Sequence, residues 1–160
     1  MKTVYNIKEF GAVGDGQTLD SAAIQAAIDA CTQQGGGKVI IPNGRFLTGT
    51  VILKSGVDLH LEPTARIVSS MNEQDFLQDP VFGRRGLICA FQAERISVTG
   101  TGTIDGQGER FLTPDDGVGH HVLVPLVDFR PKLIDIEGCT DVLFRDVTRL
   151  HCSENNSIWG

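Results

Sequence analysis

Two hydrophobic rhythms divide this chain. The first is a single helical stripe near the start: Ile24, Ala27, Ile28 and Cys31 recur at i, i+3, i+4 and i+7. Asp20 or Ser21 offers the side-chain oxygen expected to cap that helix, and Gly35-Gly36-Gly37 is expected to end it. Ahead of it a short strand is expected, with Val4, Ile7 and Phe10 as buried anchors and a sharp turn at residues 11–16.

After Gly37 the rhythm changes. Short β-rich bursts follow one another at 38–41, 46–53, 57–61, 65–68, 87–91, 95–98, 132–136, 142–144 and 147–150, separated by Gly, Pro, Asn, Asp and Thr. No helical stripe intervenes, which argues against alternating βαβ units. Asn43-Gly44 is the one clear hairpin signal. The later bursts repeat. Leu87-Ile88-Cys89-Ala90 matches Leu133-Ile134-Asp135-Ile136, and Ile96-Ser97-Val98 matches Val142-Leu143-Phe144, both 46 residues apart. Repeated strand-and-turn units predict stacked coils that bury their inward residues against one another. Polar stretches at 72–85 and 106–130 interrupt the coils and are expected to project from one face. One domain is expected, with residues 1–37 as strand and capping helix and 38–160 as the first coils.

Composition narrows the function. No apolar run reaches membrane-spanning length, and the first residues lack the apolar stretch of a secretory signal. The chain is therefore read either as cytoplasmic or as a mature form without its signal. The net charge of -6, with no Lys/Arg cluster beyond Arg84-Arg85, excludes an ordinary nucleic-acid binder. An acidic polymer would need cations gathered locally. Cys31, Cys89, Cys139 and Cys152 lack metal-site spacing and read as free thiols.

Several motifs invite chemistry and fall to plainer readings. Gly11, Gly14 and Gly16 reverse the dinucleotide spacing, and no helix follows Gly100 and Gly102, so no nucleotide cofactor is assigned. Asp105 reads as a turn-fixing residue before a groove residue. His60, between Leu59 and Leu61, is expected to point outward. Asp115, Asp116, His120 and His121 imitate a catalytic or metal-binding set, but one polar loop holds them less rigidly than strands would. His151 is uninformative. No catalytic, metal or substrate-binding residue is therefore assigned.

Phe10-Gly11-Ala12-Val13-Gly14-Asp15-Gly16 and the following run from Asp20 to Cys31 resemble the opening of pectin-lyase-like β-helix proteins. Residues 100–108, Gly-Thr-Gly-Thr-Ile-Asp-Gly-Gln-Gly, resemble a segment of polygalacturonase-like hydrolases, glycoside hydrolase family 28. Arg130-Pro131-Lys132-Leu133-Ile134 and Gly138-Cys139-Thr140-Asp141-Val142 are similar to that family's Arg-Pro strand and turn. Glu109 to Leu112 departs from its tryptophan-rich stretch, and Asn156-Ser157-Ile158-Trp159 matches only in part. The resemblance implies a right-handed parallel β-helix capped by the helix. It also implies inverting hydrolysis of a pectic, galacturonan-type polysaccharide by paired aspartates.

The family's Asn-Thr-Asp, Asp-Asp, Gly-His-Gly and Arg-Ile-Lys motifs have no counterpart in place here. The chain is accordingly expected to be an N-terminal portion, truncated at its C-terminal end and inactive alone. A carbohydrate-binding module and a tailspike-like structural piece are the alternatives. Association through residues 132–159, as a homo-oligomer, is expected from an uncapped stack.

Overall fold

The computed structural model describes residues 3–113, 124–125, 129 and 131–150. Each circuit of the chain lays one short strand in each of three parallel sheets, and the next circuit pairs alongside it. The first circuit runs β1 (Val4–Asn6), a 3-10 turn (Ile7–Phe10), β2 (Asp15–Leu19) and then α1 (Ser21–Gln33), which takes the third-sheet position. The second is β3 (Gly37–Ile41), β4 (Gly44–Thr48) and β5 (Val51–Leu53). The third is β6 (Val57–Leu61) and β7 (Ala65–Ser69), then an excursion carrying the hairpin β8 (Gln78–Asp79) and β9 (Gly83–Arg84), then β10 (Ile88–Phe91). The fourth is β11 (Glu94–Gly100) and β12 (Thr103–Asp105), a second excursion with β13 (Leu112–Thr113) antiparallel to β14 (Val124–Pro125), then β15 (Ile134–Glu137). β16 (Thr140–Phe144) and β17 (Thr148–Leu150) follow. The sheet orders are β1-β3-β6-β11-β16, β5-β10-β15 and β2-β4-β7-β12-β17. This is a right-handed parallel β-helix.

Period-two alternation turns the strand pattern into a core. Tyr5, Val39, Leu59, Val98 and Phe144 stack in register as one inward row. Phe46, Ile67 and Ile104 form another, and Val51, Ile88 and Ile134 a third. Most of these side chains are fully buried, and burying each large one stabilises by about 1.5–3 kcal/mol over leaving it in water. The 46-residue repeat is the observed register: Ile88 pairs with Ile134, and Ile96 with Val142.

Some expectations fail for local reasons. Val4 is half-exposed, and Tyr5 is the buried anchor, because β1 aligns Tyr5 rather than Val4 with the inward Val39. Residues 15–19, of which 15 and 16 are expected in the turn and 17–19 carry no assignment, form β2, held by β4 and almost wholly solvent-facing. The burst at 46–53 is two strands, split at a corner where Gly49 lies against the Asp75 backbone. Asn43-Gly44 makes no hairpin. It turns the chain between sheets, since β3 pairs with β6 and β4 with β7.

The helix ends are built differently from one another. Asp20 makes no capping hydrogen bond to the first turn of α1. Its buried carboxylate instead accepts from Val13 N (2.8 Å) and Gly14 N (2.9 Å), tying the glycine turn to the helix. Ser21 Oγ is likewise diverted and accepts from Gly49 N at 2.8 Å. The C-terminus follows expectation: Gly36 N donates to Cys31 O and Gly35 N to Thr32 O, with Gly35 left-handed. Ile24, Ala27, Ile28 and Cys31 are all buried.

Candidate functional site

The third sheet, β5-β10-β15, has the most elaborate surroundings. Its first position is occupied by α1, whose Gln25 imitates a neighbouring strand. The Gln25 amide donates to Ile52 O (3.0 Å) and accepts from Ile52 N (2.8 Å), so the β5 edge is satisfied. Both excursions leave the chain between the second and third sheets, so they border the same sheet. They also meet each other: Phe76 and Phe129 are 4.9 Å apart between ring centroids.

A cleft of about 460 Å³ opens between the start of α1 and residues 74–77. Ser21, Gln25, Thr50, Ile52, Asp75 and Leu77 are among its walls. Its far wall is pinned by Thr50 Oγ1, which accepts from Leu77 N (2.9 Å) and donates to Gly86 O (2.9 Å). Ser70 Oγ donates to the Asp75 carboxylate and holds the other end.

Beyond the cleft, Arg85 is the fastener of the first excursion. Its side chain is only 4% exposed. Nη2 donates to Glu137 Oε2 at 2.9 Å, and Asp79 Oδ2 lies 3.8 Å from Nη1. Nε approaches Asp135 Oδ2 to 2.9 Å yet makes no hydrogen bond, so that contact is ionic only. The guanidinium sits over the rings of Phe91 (4.4 Å) and Phe82 (5.1 Å). Burial opposes its charge, but the hydrogen bond to Glu137 and the charges of Asp135 and Glu137 outweigh this and raise its pKa.

Beside it, Cys89 is buried and donates to Gly86 O; burial foremost, then the Asp135 charge, pushes the thiol up to about 12. Such a thiol is a packing residue rather than a nucleophile. Cys31 is also buried and free, its thiol pushed up by burial, and Cys139 is half-buried and free. Cys152 lies outside the described residues.

His60 faces outward from β6, as its alternation predicts, and joins a polar ladder on the first sheet. Thr99 Oγ1 donates to Asp58 Oδ1 (2.8 Å), which assigns His60 Nδ1 as the donor to Thr99 (2.8 Å). Ser97 also donates to Asp58, and Lys38 lies 3.9 Å away. Asp105 takes the turn role: it is 5% exposed, accepts from Gln107 N at 2.9 Å, and lies 3.7 Å from Arg66. Asp115, Asp116, His120, His121 and His151 lie outside the described residues. Neither the cleft nor the Arg85 cluster was assigned from sequence. Only the Arg84-Arg85 pair inside the polar 72–85 stretch signalled that place.

Residues 4–88 match the family model described as rhamnogalacturonase A/epimerase, pectate lyase-like. An exo-poly-α-D-galacturonosidase of Dickeya chrysanthemi is 34% identical over 135 residues, 73% of this chain and 22% of that protein. A probable polygalacturonase of Vitis vinifera is 32% identical over 91% of this chain and 32% of that protein. The solved exopolygalacturonase of Thermotoga maritima superposes with a TM-score of 0.73 at 25% identity, covering 96% of this chain and 43% of that one. The chain thus spans between about a fifth and a third of the length of these curated relatives. With the coil order, the helix in the third-sheet position and the family match all in agreement, the chain belongs to the pectate-lyase-like family of rhamnogalacturonase A and the epimerases.

Proposed function

We infer that this chain is the N-terminal portion of a polygalacturonase-like glycoside hydrolase, which in its full-length form cleaves a galacturonan-type pectic polysaccharide. The observation that carries the reading is where the family-28-like segments fall. Residues 100–106 run from the end of β11 through β12 into its turn, and residues 131–142 run through β15, which closes the same coil, into β16 of the next. Their likeness to polygalacturonase relatives over most of this chain supports the same assignment.

Hydrolysis is inverting in this proposal. One carboxylic acid protonates the leaving oxygen and an opposing carboxylate activates water, with roughly 6.5–9.5 Å between them. The pair belongs to coils beyond the Arg130-Pro131 coil in the full-length protein, and the 160-residue chain alone is inactive. Incubation with polygalacturonate tests this by reducing-sugar release. The expected result is none from this chain and release from a chain extended through the following coils. Turnover by the 160-residue chain overturns the inactivity, and an inactive extended chain that still binds the polymer favours the binding-module reading.

Association of the isolated chain belongs to the same proposal. Val142 and Leu143 on β16 are 38% and 47% exposed, and among the described residues β16 has a strand partner on one side only. Light scattering at rising concentration is expected to show self-association, and a strictly monomeric species refutes it.

A further inference from the structure

Of the eight large hydrophobic side chains exposed among the described residues, three lie within six residues: Leu77, Val81 and Phe82, at 41%, 79% and 66% exposure. They sit on the β8–β9 hairpin, beside the cleft wall. The tip is held in place rather than left loose. Asp79 Oδ1 accepts from both Val81 N (2.8 Å) and Phe82 N (2.9 Å), and the Phe82 ring lies 5.1 Å from the Arg85 guanidinium. An aromatic ring fixed outward by its own turn is a pre-organised contact, because little freedom remains to be lost on binding.

The two adjacent arginines differ in a way that selects the ligand. Arg85 is enclosed by Asp79, Asp135 and Glu137. Arg84, half-buried, makes no salt bridge among the described residues. Its Nη1 donates to Phe76 O at 3.1 Å, which fastens it to the cleft wall and leaves its remaining N–H groups for another acceptor. In a chain of net charge -6, Arg84 is thus a cation without a salt bridge among the described residues, two positions along the chain from the exposed Phe82.

We propose that the β8–β9 hairpin is a binding platform for an acidic sugar polymer, with the Phe82 ring against a pyranose face and Arg84 paired with a sugar carboxylate. The proposal rests on the galacturonan reading above and adds the residues that would hold the polymer. Only a ligand that offers both a flat C–H face and an anion uses both groups.

The test is calorimetric titration of the chain and its Phe82→Ala and Arg84→Gln variants with a galacturonate trimer and with its methyl ester, after equal melting temperatures are confirmed. Loss of the ring is expected to weaken both trimers by about threefold to tenfold. Arg84→Gln is expected to weaken the acid trimer by about threefold to fivefold and leave the ester unchanged. Wild-type binding that Phe82→Ala leaves intact overturns the platform while the galacturonan reading stands. Absence of binding of either trimer to the wild-type chain overturns the platform, while the galacturonan reading is decided separately by turnover of the extended chain.

Discussion

Replacing Asp20 by Asn removes one negative charge and changes almost nothing in shape, so its cost isolates what the carboxylate does. Both oxygens now accept backbone N–H groups, Val13 at 2.8 Å and Gly14 at 2.9 Å, from a side chain that is 2% exposed. An amide has one acceptor oxygen. Its NH₂ would face the other N–H, donor against donor. One charge-assisted hydrogen bond then becomes neutral, and one N–H is left unmatched beside a buried group. At about 1 kcal/mol for the first and about 1–3 kcal/mol for the second, the total is about 2–4 kcal/mol. For a domain of this size that lowers the melting temperature by about 5–15 °C. Circular dichroism melting gives the global number, and amide hydrogen exchange gives the local one, with faster exchange expected at Val13 and Gly14. A melting temperature within about 2 °C of wild type, with unchanged exchange at those two amides, would refute the reasoning.

Further outcomes follow from other features. Gly100 and Gly11 share a left-handed backbone (φ +93° and +94°), but a Cβ at Gly100 would meet the Leu61 carbonyl oxygen at 2.0 Å while one at Gly11 meets nothing within 4 Å. Gly11→Ala should therefore cost about 1–2 kcal/mol and Gly100→Ala several times that in urea unfolding; equal costs would show that the inter-coil approach is not tight. Thiol labelling of the native chain at pH 8 should reach Cys139 before Cys31 or Cys89, both buried and held protonated; early labelling of Cys89 contradicts its packing. Hydrogen bonds from Phe82 N and Val81 N hold the Asp79 carboxyl below its usual range. A depressed native value means the stabilisation is complete above about pH 4 and is lost as pH falls through that native value, so the hairpin tip should loosen below about pH 4. Exchange at the Val81 and Phe82 amides measures it, and a pH-independent rate constant ratio between pH 5 and pH 2 counts against it.

The strands that were legible in the sequence are those whose inward side chains alternate. The offset from Leu87 to Leu133 read the register correctly because a whole coil lies between equivalent positions, and equivalent positions carry equivalent burial. β2 gave no such signal, because backbone pairing to β4 holds Asp15–Leu19 and none of its side chains enters the core. β12 was hidden for another reason: three residues, Thr103–Asp105, are too few to show a period among glycines. Asp20 was misread because a capping residue and a buried turn anchor look alike in one dimension. The cleft and the Arg85 cluster join residues such as Gln25 with Leu77, and Arg85 with Glu137, whose proximity is created only when the coils stack.

The unequal circuits have a consequence for how such a molecule changes over time. From Lys38 to Asp58 one circuit takes 20 residues, and from Asp58 to Ser97 the next takes 39, yet both land in perfect alignment. Most of the additional length is spent at a single corner, between β7 and β10. Because the entropy of closing a surface segment grows only by about 0.6 kcal/mol per doubling, while a one-residue slip inside a strand would turn its oily side outward, that corner can be rewritten almost independently of the scaffold. What the molecule contacts at that corner can then change by editing a fringe, with the interior rows left untouched.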